Sequence, residues 1–396
     1  MSPDGAHAAG PGPDPGPGPG AGPVDPLHPG TLAVSAVRAL TPYQPGKPIG
    51  ELERELGSGD IVKLASNENP HGPSPAVLQA MQRSLAQVWL YPDGGCHELK
   101  QALARHLAVD PECLSVGNGS NDLLMLLAEA FLSPETSAVY SQYAFAIYPL
   151  VVRETGACAI EVAAQAHAAP MPLGHDLPAM LAALRPDTRM LFIANPNNPT
   201  GTWALAPELQ RLIEAVPPTT LVVLDEAYYE YGRECGLPES LPWVTAHPNL
   251  IVLRTFSKAY GLAGARVGYA VSHPEIAAVL DRLRPAFNVN SLAQAGAVAA
   301  LADQAHMRRA VRATVAELAR LRAGLSRLGL WSAPSAANFV LVRVGARAAQ
   351  LFRALLERGI IVRPLTSYAL PDYLRISVGL PEHTDRVLAA LAALPA

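Results

Sequence analysis

The stretch "LIVLRTFSKAYGLAGARVGY", residues 250–269, starts as an aliphatic run, passes two hydroxyls, and reaches a single lysine, Lys258, ahead of a glycine-punctuated segment that carries Arg266. Its opening reads as a strand, and four other runs look like it: "CLSVGNG" (113–119), "SAVYSQ" (137–142), "RMLFIANP" (189–196) and "TTLVVLDEA" (219–227). Between them lie longer segments of helical character, such as "SNDLLMLLAEAFL" (120–132) and "APELQRLIEAV" (206–216). Strands alternating with helices predict an α/β fold built on a mostly parallel sheet. After residue 290 the pattern changes to a long Ala/Arg/Leu helical region over 293–328, then "ANFVLVRV", another helix, "IIVRP" and "YLRISVG". That order predicts a smaller α+β domain.

The expected organisation is a disordered Pro/Gly-rich tail over 1–32, an N-terminal arm and part of the small domain over 33–74, a large domain over 75–289, and the rest of the small domain over 290–396. The tail offers little side chain to bury, so nothing offsets the entropy of ordering it. With 396 residues and 49% hydrophobic content, the remainder can bury a large core. A net charge of -4 without any Lys/Arg block argues against nucleic acid or an anionic membrane as partner and favours a small molecule. Cys96, Cys113, Cys158 and Cys235 lack paired spacing, so neither a metal site nor a disulfide framework is expected. No signal peptide or membrane span is legible, and a cytoplasmic protein is expected.

Polar residues collect where the strands end. "RMLFIA" runs into "NPNNPTG", "LVVL" into Asp225, Glu226, Ala227 and Tyr228, and "LIVLR" into Thr255, Phe256, Ser257 and Lys258. Ligands of open α/β sheets bind beyond the carboxyl ends of the strands, so three such ends converge on one site. Taken singly, each piece has a plainer reading: "NPNNPTG" as a turn, Asp225 as a helix cap, Lys258 as a solvated charge. "GNGSND" is the best phosphate loop, although Gly117 and Gly119 lack the third glycine of a dinucleotide fingerprint. Together they ask for one ligand, with a carbonyl for Lys258, a basic ring nitrogen for Asp225, a phenolic oxygen for Asn198 and Tyr228, and a phosphate for Ser257, Arg266 and the amides around Ser120. Pyridoxal 5'-phosphate has all four.

From about Pro42 onward the chain resembles the fold-type I pyridoxal phosphate-dependent aminotransferases, and among them the histidinol-phosphate aminotransferases. The resemblance is carried, in order, by "TPYQPGKPIGELERELG", "KLASNENPHGPSP", "LYPDGGCHELKQALA", the strand-end motifs above, "RPAFNVNSLAQAGA" and "YLRISVG". It implies a catalytic Lys258 that bonds the cofactor aldehyde and shuttles a proton, with its pKa depressed by Arg266 and by burial. It implies Asp225 on the ring nitrogen, Asn198 and Tyr228 on the ring oxygen, and a phosphate cup of Ser120, Asn121, Thr255, Ser257 and Arg266. Phe145 or Tyr143 in "YAFAIY" would stack on the ring, and Tyr91 would reach the phosphate of a neighbouring subunit, which implies a homodimer with shared sites. Arg375 and Arg363 would grip the substrate anion, while Tyr43, Asn69, Asn288 and Asn338 would line the substrate pocket. The implied reaction moves an amino group between L-histidinol phosphate and 2-oxoglutarate. The alternatives are an aromatic amino acid aminotransferase and, more distantly, a phosphothreonine decarboxylase.

Overall fold

All five aliphatic runs form strands of one seven-stranded sheet. The computed structural model describes residues 28–42, 46–57 and 60–393. Residues 1–27, most of the expected tail, and Tyr43 lie outside the described residues. The strands, in chain order, are β1 (Val62–Lys63), β2 (Leu114–Gly117), β3 (Ser137–Ser141), β4 (Cys158–Val162), β5 (Thr188–Ala194), β6 (Leu221–Asp225), β7 (Leu250–Thr255), β8 (Gly268–Val271), β9 (Trp331–Ser332), β10 (Phe339–Arg343), β11 (Ile360–Ile361), β12 (Arg363–Leu365) and β13 (Leu370–Ser377). The large sheet has the order β2-β8-β7-β6-β5-β3-β4. Its β4, β3, β5, β6 and β7 run parallel, and β8 is antiparallel to both neighbours.

Both faces of this sheet are covered, which is why its strands read as continuous apolar runs. Leu191, Ile193, Val222, Leu224 and Val252 pack into a core on one face. Their alternating neighbours Phe192, Ala194, Val223, Ile251 and Leu253 pack into a second core on the other. Two strands, β4 and β8, have no counterpart among the aliphatic runs. The first is an edge strand with exposed residues, and the second is a short piece emerging from the glycine-rich segment after Lys258.

The C-terminal part forms a four-stranded antiparallel sheet, β12-β13-β10-β9, while β1 pairs in parallel with β11. The single helical region expected over 293–328 is two helices, Ser291–Ala302 and Gln304–Arg327. Asp303 separates them, its side chain accepting from His306 N at 3.2 Å to cap the second. Val311 at the front of that second helix packs into the large-sheet core, and Leu318, Leu321 and Leu325 pack into the core of the C-terminal sheet, so one helix serves both. Among the described residues, 28–41 belong to a compact unit separate from the rest. Where disorder was expected through residue 32, Pro29–Leu32 makes a single 3-10 turn whose proline presets φ, and a short helix, Ser35–Arg38, follows.

At the ends of β6 and β7, strand alternation turns Glu226 and Arg254 away from the face that holds Asp225 and Thr255. They form a buried ion pair at 2.8 Å, which Ser240 Oγ supports by donating to Glu226 at 2.7 Å. Arg254 also meets the more exposed Glu239 at 2.8 Å. Removing one member of a buried pair strands the other's charge. Glu226→Ala should therefore cost about 3 kcal/mol or more in urea unfolding at pH 7. A loss below about 1 kcal/mol, the range of an exposed pair, would show that Glu239 alone satisfies Arg254.

Candidate active site

The carboxyl ends of β5, β6 and β7 open into a cavity of about 280 Å³. Asp225 and Thr255 close their strands on its wall, and Lys258 reaches it from the turn beyond β7. Lys258 Nζ donates to the carbonyl of Ser66 at 3.1 Å and lies 5.7 Å from the Tyr228 ring centroid. Burial lowers its pKa first, and the nearby charges of Arg375, Arg266 and Lys63 add to that against the opposing pull of Glu68, leaving it at about 8. Arg375 thus outweighs Arg266, the residue expected from the sequence to depress it.

Asp225 is buried and anchored at both oxygens. Tyr148 Oη donates to Oδ2 at 2.8 Å, and the Ala227 amide donates to Oδ1 at 3.1 Å. Burial raises its pKa, while these two bonds and the charge of Lys258 work against the rise. Tyr228 is buried beside it and accepts from Asn67 Nδ2 at 2.8 Å. Burial lifts its phenol well above the ordinary range, so it stays protonated.

One end of the cavity is built from donors. Ser120 begins the helix Ser120–Phe131, whose first-turn N–H groups have no intrahelical acceptor and carry the positive end of the helix dipole. Facing it, Thr255 Oγ1 and Ser257 Oγ lie 3.0 Å apart, and Arg266 Nη1 donates to Ser257 Oγ at 3.3 Å. Gly268 lets the chains close around this end, because a Cβ there would stand 2.6 Å from Ser120 N. The other end holds Arg363 and Arg375, which are buried and directly opposite each other on β12 and β13. Arg375 donates to Asn198 Oδ1 and to the Ala65 carbonyl, and its Nε has no hydrogen-bond partner among the described residues. Like charges facing across a strand pair repel, so this end is suited to an anion.

Of the remaining expected residues, Asn121 and Phe145 line the cavity, whereas Tyr143 packs among Leu173, Tyr368 and their neighbours. Asn69, Asn288 and Asn338 are not among its lining residues. Each bonds a distant part of the chain instead: Asn69 donates to Ala259 O at 2.9 Å, Asn288 to Asp122 Oδ2 at 2.9 Å, and Asn338 to Asn67 O at 3.0 Å. A side-chain amide both donates and accepts, which fits it to join segments. Tyr91 lies on the surface, stacked on Phe287 with centroids 4.7 Å apart. Tyr148, Ser66 and Asn67 escaped the sequence reading; nothing local marks them, since their partners are 77, 192 and 161 residues away.

This donor set fits pyridoxal 5'-phosphate. The helix start with Ser257 and Arg266 suits a phosphate, the anchored Asp225 suits a protonated ring nitrogen, and an enclosed amine of lowered pKa suits an aldehyde.

Residues 59–392 match the model of the family described as aminotransferase class I and II. Histidinol-phosphate aminotransferase 2 of Methylococcus capsulatus is 53% identical over 361 residues, covering 91% of this chain and 97% of the relative. Its namesake from Pseudomonas aeruginosa is 51% identical, covering 91% and 96%. The crystal structure of histidinol-phosphate aminotransferase from Sinorhizobium meliloti in complex with pyridoxal-5'-phosphate aligns with a TM-score of 0.81 at 33% identity, covering 91% of this chain and 96% of that one.

In the unfolded chain Lys258 titrates near its ordinary 10.5, against about 8 when folded. Between those values the unfolded chain binds more protons, so raising the pH through this window stabilises the folded state. In cofactor-free protein, stability relative to Lys258→Met should rise from about pH 8 to 10.5. Parallel stability curves for the two proteins would mean that Lys258 is not desolvated.

Proposed function

The chain belongs to the class I and II aminotransferase family, and from that premise we propose that it moves an amino group between L-histidinol phosphate and 2-oxoglutarate with pyridoxal 5'-phosphate. The observation that carries the choice of substrate is the facing pair of buried arginines, Arg363 and Arg375. Histidinol phosphate has no carboxylate, and its dianionic phosphate takes both guanidinium groups. A carboxylate of glutamate or 2-oxoglutarate takes Arg375 in the second half of the cycle.

Bound in the cavity, the cofactor supplies an electron-withdrawing ring that stabilises the charge left when the substrate Cα loses its proton. The protein's own groups do the rest. With a pKa of about 8, Lys258 presents roughly one neutral amine in ten at pH 7, against about one in three thousand for an ordinary lysine. That fraction would let it bond the aldehyde of the cofactor and, as a free amine, take and return the substrate Cα proton. Asp225, oriented by Tyr148, holds the ring nitrogen protonated. Asn198 and Tyr228 hold the phenolic oxygen, Phe145 stacks on the ring, and Ser120, Asn121, Thr255, Ser257 and Arg266 hold the phosphate.

Exposed Trp89 and Tyr91, at 78% and 82% of their full accessibility, lie beside exposed Val88 and Leu90. Apolar surface of this kind supports a homodimer in which Tyr91 reaches the neighbouring site. The four free cysteines agree with a reducing cytoplasm, and no described helix is long and apolar enough to cross a membrane.

Arg363→Ala should lower kcat/KM for histidinol phosphate by roughly ten- to a hundredfold, the scale of one charge-assisted hydrogen bond, and lower it less for phenylalanine. The native enzyme should favour histidinol phosphate over phenylalanine, tyrosine and aspartate by orders of magnitude. Equal turnover of phenylalanine, with both substrates losing alike in the variant, would move the assignment to an aromatic amino acid aminotransferase.

A further inference from the structure

Asn67 is buried and holds φ at +56°, a conformation that asparagine and aspartate tolerate better than other side chains bearing a Cβ. Its backbone N–H donates to Ser377 Oγ at 2.9 Å, and Ser377 Oγ donates back to Asn67 Oδ1 at 2.8 Å. The carbonyl of Asn67 accepts from Asn338 Nδ2 at 3.0 Å. The serine oxygen already accepts the backbone N–H, so its single proton goes to the amide oxygen, which turns the amide nitrogen toward Tyr228. Asn67 Nδ2 then donates to Tyr228 Oη at 2.8 Å.

A phenol oxygen that accepts a hydrogen bond on one side directs its own proton elsewhere. Tyr228 also lines the cavity, near Asp225, Lys258 and Arg375. We propose that Asn67 is a positioning residue: locked by Ser377, it commits Tyr228 to donate into the cavity, toward the phenolic oxygen of the cofactor. The proposal rests on the reading that pyridoxal 5'-phosphate binds there. An amide turned the other way would present its oxygen to Tyr228 and withdraw that proton from the cavity. The ordered relay Ser377 to Asn67 to Tyr228 thus sets which hydrogen bond the ring oxygen receives.

The consequence is measurable in the absorbance of the bound cofactor. A donor to the phenolic oxygen favours negative charge on it, which weakens the oxygen's hold on the proton of the nitrogen joined to Lys258. Losing the donor therefore raises the pH at which that proton leaves. Asn67→Asp keeps the backbone conformation but offers Tyr228 only an acceptor. Loaded with pyridoxal 5'-phosphate and titrated by absorbance, this variant should show its transition about one pH unit above the native protein. Tyr228→Phe should shift it in the same direction, and Asn67→Asp combined with Tyr228→Phe should shift it no further than Tyr228→Phe alone. Ser377→Ala, which unlocks the amide, should give a smaller upward shift, and it carries the test if Asn67→Asp fails to retain cofactor. A native-like transition in Asn67→Asp, or in Ser377→Ala where that variant carries the test, overturns the proposal. So do shifts that add in the double variant, because the new carboxylate would then be acting by its charge without Tyr228. A native protein that acquires no cofactor absorbance overturns the cofactor reading itself, a result distinct from an unmoved transition.

Discussion

The rest of the site depends on keeping one amine out of water among other cations. Lys258 sits in a cavity shared with Arg375 and Arg266 and donates to the Ser66 carbonyl. Burying a cation near like charges is unfavourable, and the unfavourable energy appears as the lowered pKa that gives the residue its nucleophilic fraction. A flexible surface lysine could not be held in this way. The covered sheet supplies rigidity, since β5, β6 and β7 are packed on both faces and deliver Asp225, Thr255 and the turn that carries Lys258 to one place.

The short segment Ala65 to Asn69 joins these parts. Its carbonyls accept from Arg375 at Ala65 and from Lys258 at Ser66, Asn67 bonds Tyr228 and Ser377, and Asn69 Nδ2 bonds the Ala259 carbonyl beside Lys258. The lysine, the phenol and the arginine at the anion end therefore share one strip of backbone. Arg375 has a double effect, since its charge also lowers the pKa of Lys258. Charge brought to the arginine end by a bound anion would thus act on the amine at the same time.

What the sequence disclosed followed from chain continuity. Asp225 and Lys258 were legible because each stands just past an aliphatic run, and strand ends are where an open sheet places its ligand. Arg363 and Arg375 were marked only by resemblance, and their facing register became visible once β12 and β13 were paired. Tyr148 closes the aromatic segment that holds Tyr143 and Phe145, and nothing local ties it to its partner Asp225, 77 residues away. Asn69, Asn288 and Asn338 carried the right chemistry for a pocket wall, yet an amide serves equally well to tie loops together, and sequence alone does not separate the two uses. The strand β8 was hidden for a different reason: four residues after a glycine-rich turn give too little pattern to read.

On the proposed function, Lys258 is the residue that bonds the cofactor. Protein loaded with pyridoxal 5'-phosphate, reduced with borohydride and mapped by peptide mass spectrometry, reports that bond directly. The reduced cofactor is expected on the peptide that contains Ser257 and Lys258, at Lys258. A label on Lys63, the other lysine whose charge lowers the Lys258 pKa, or on any lysine outside the cavity, would contradict it.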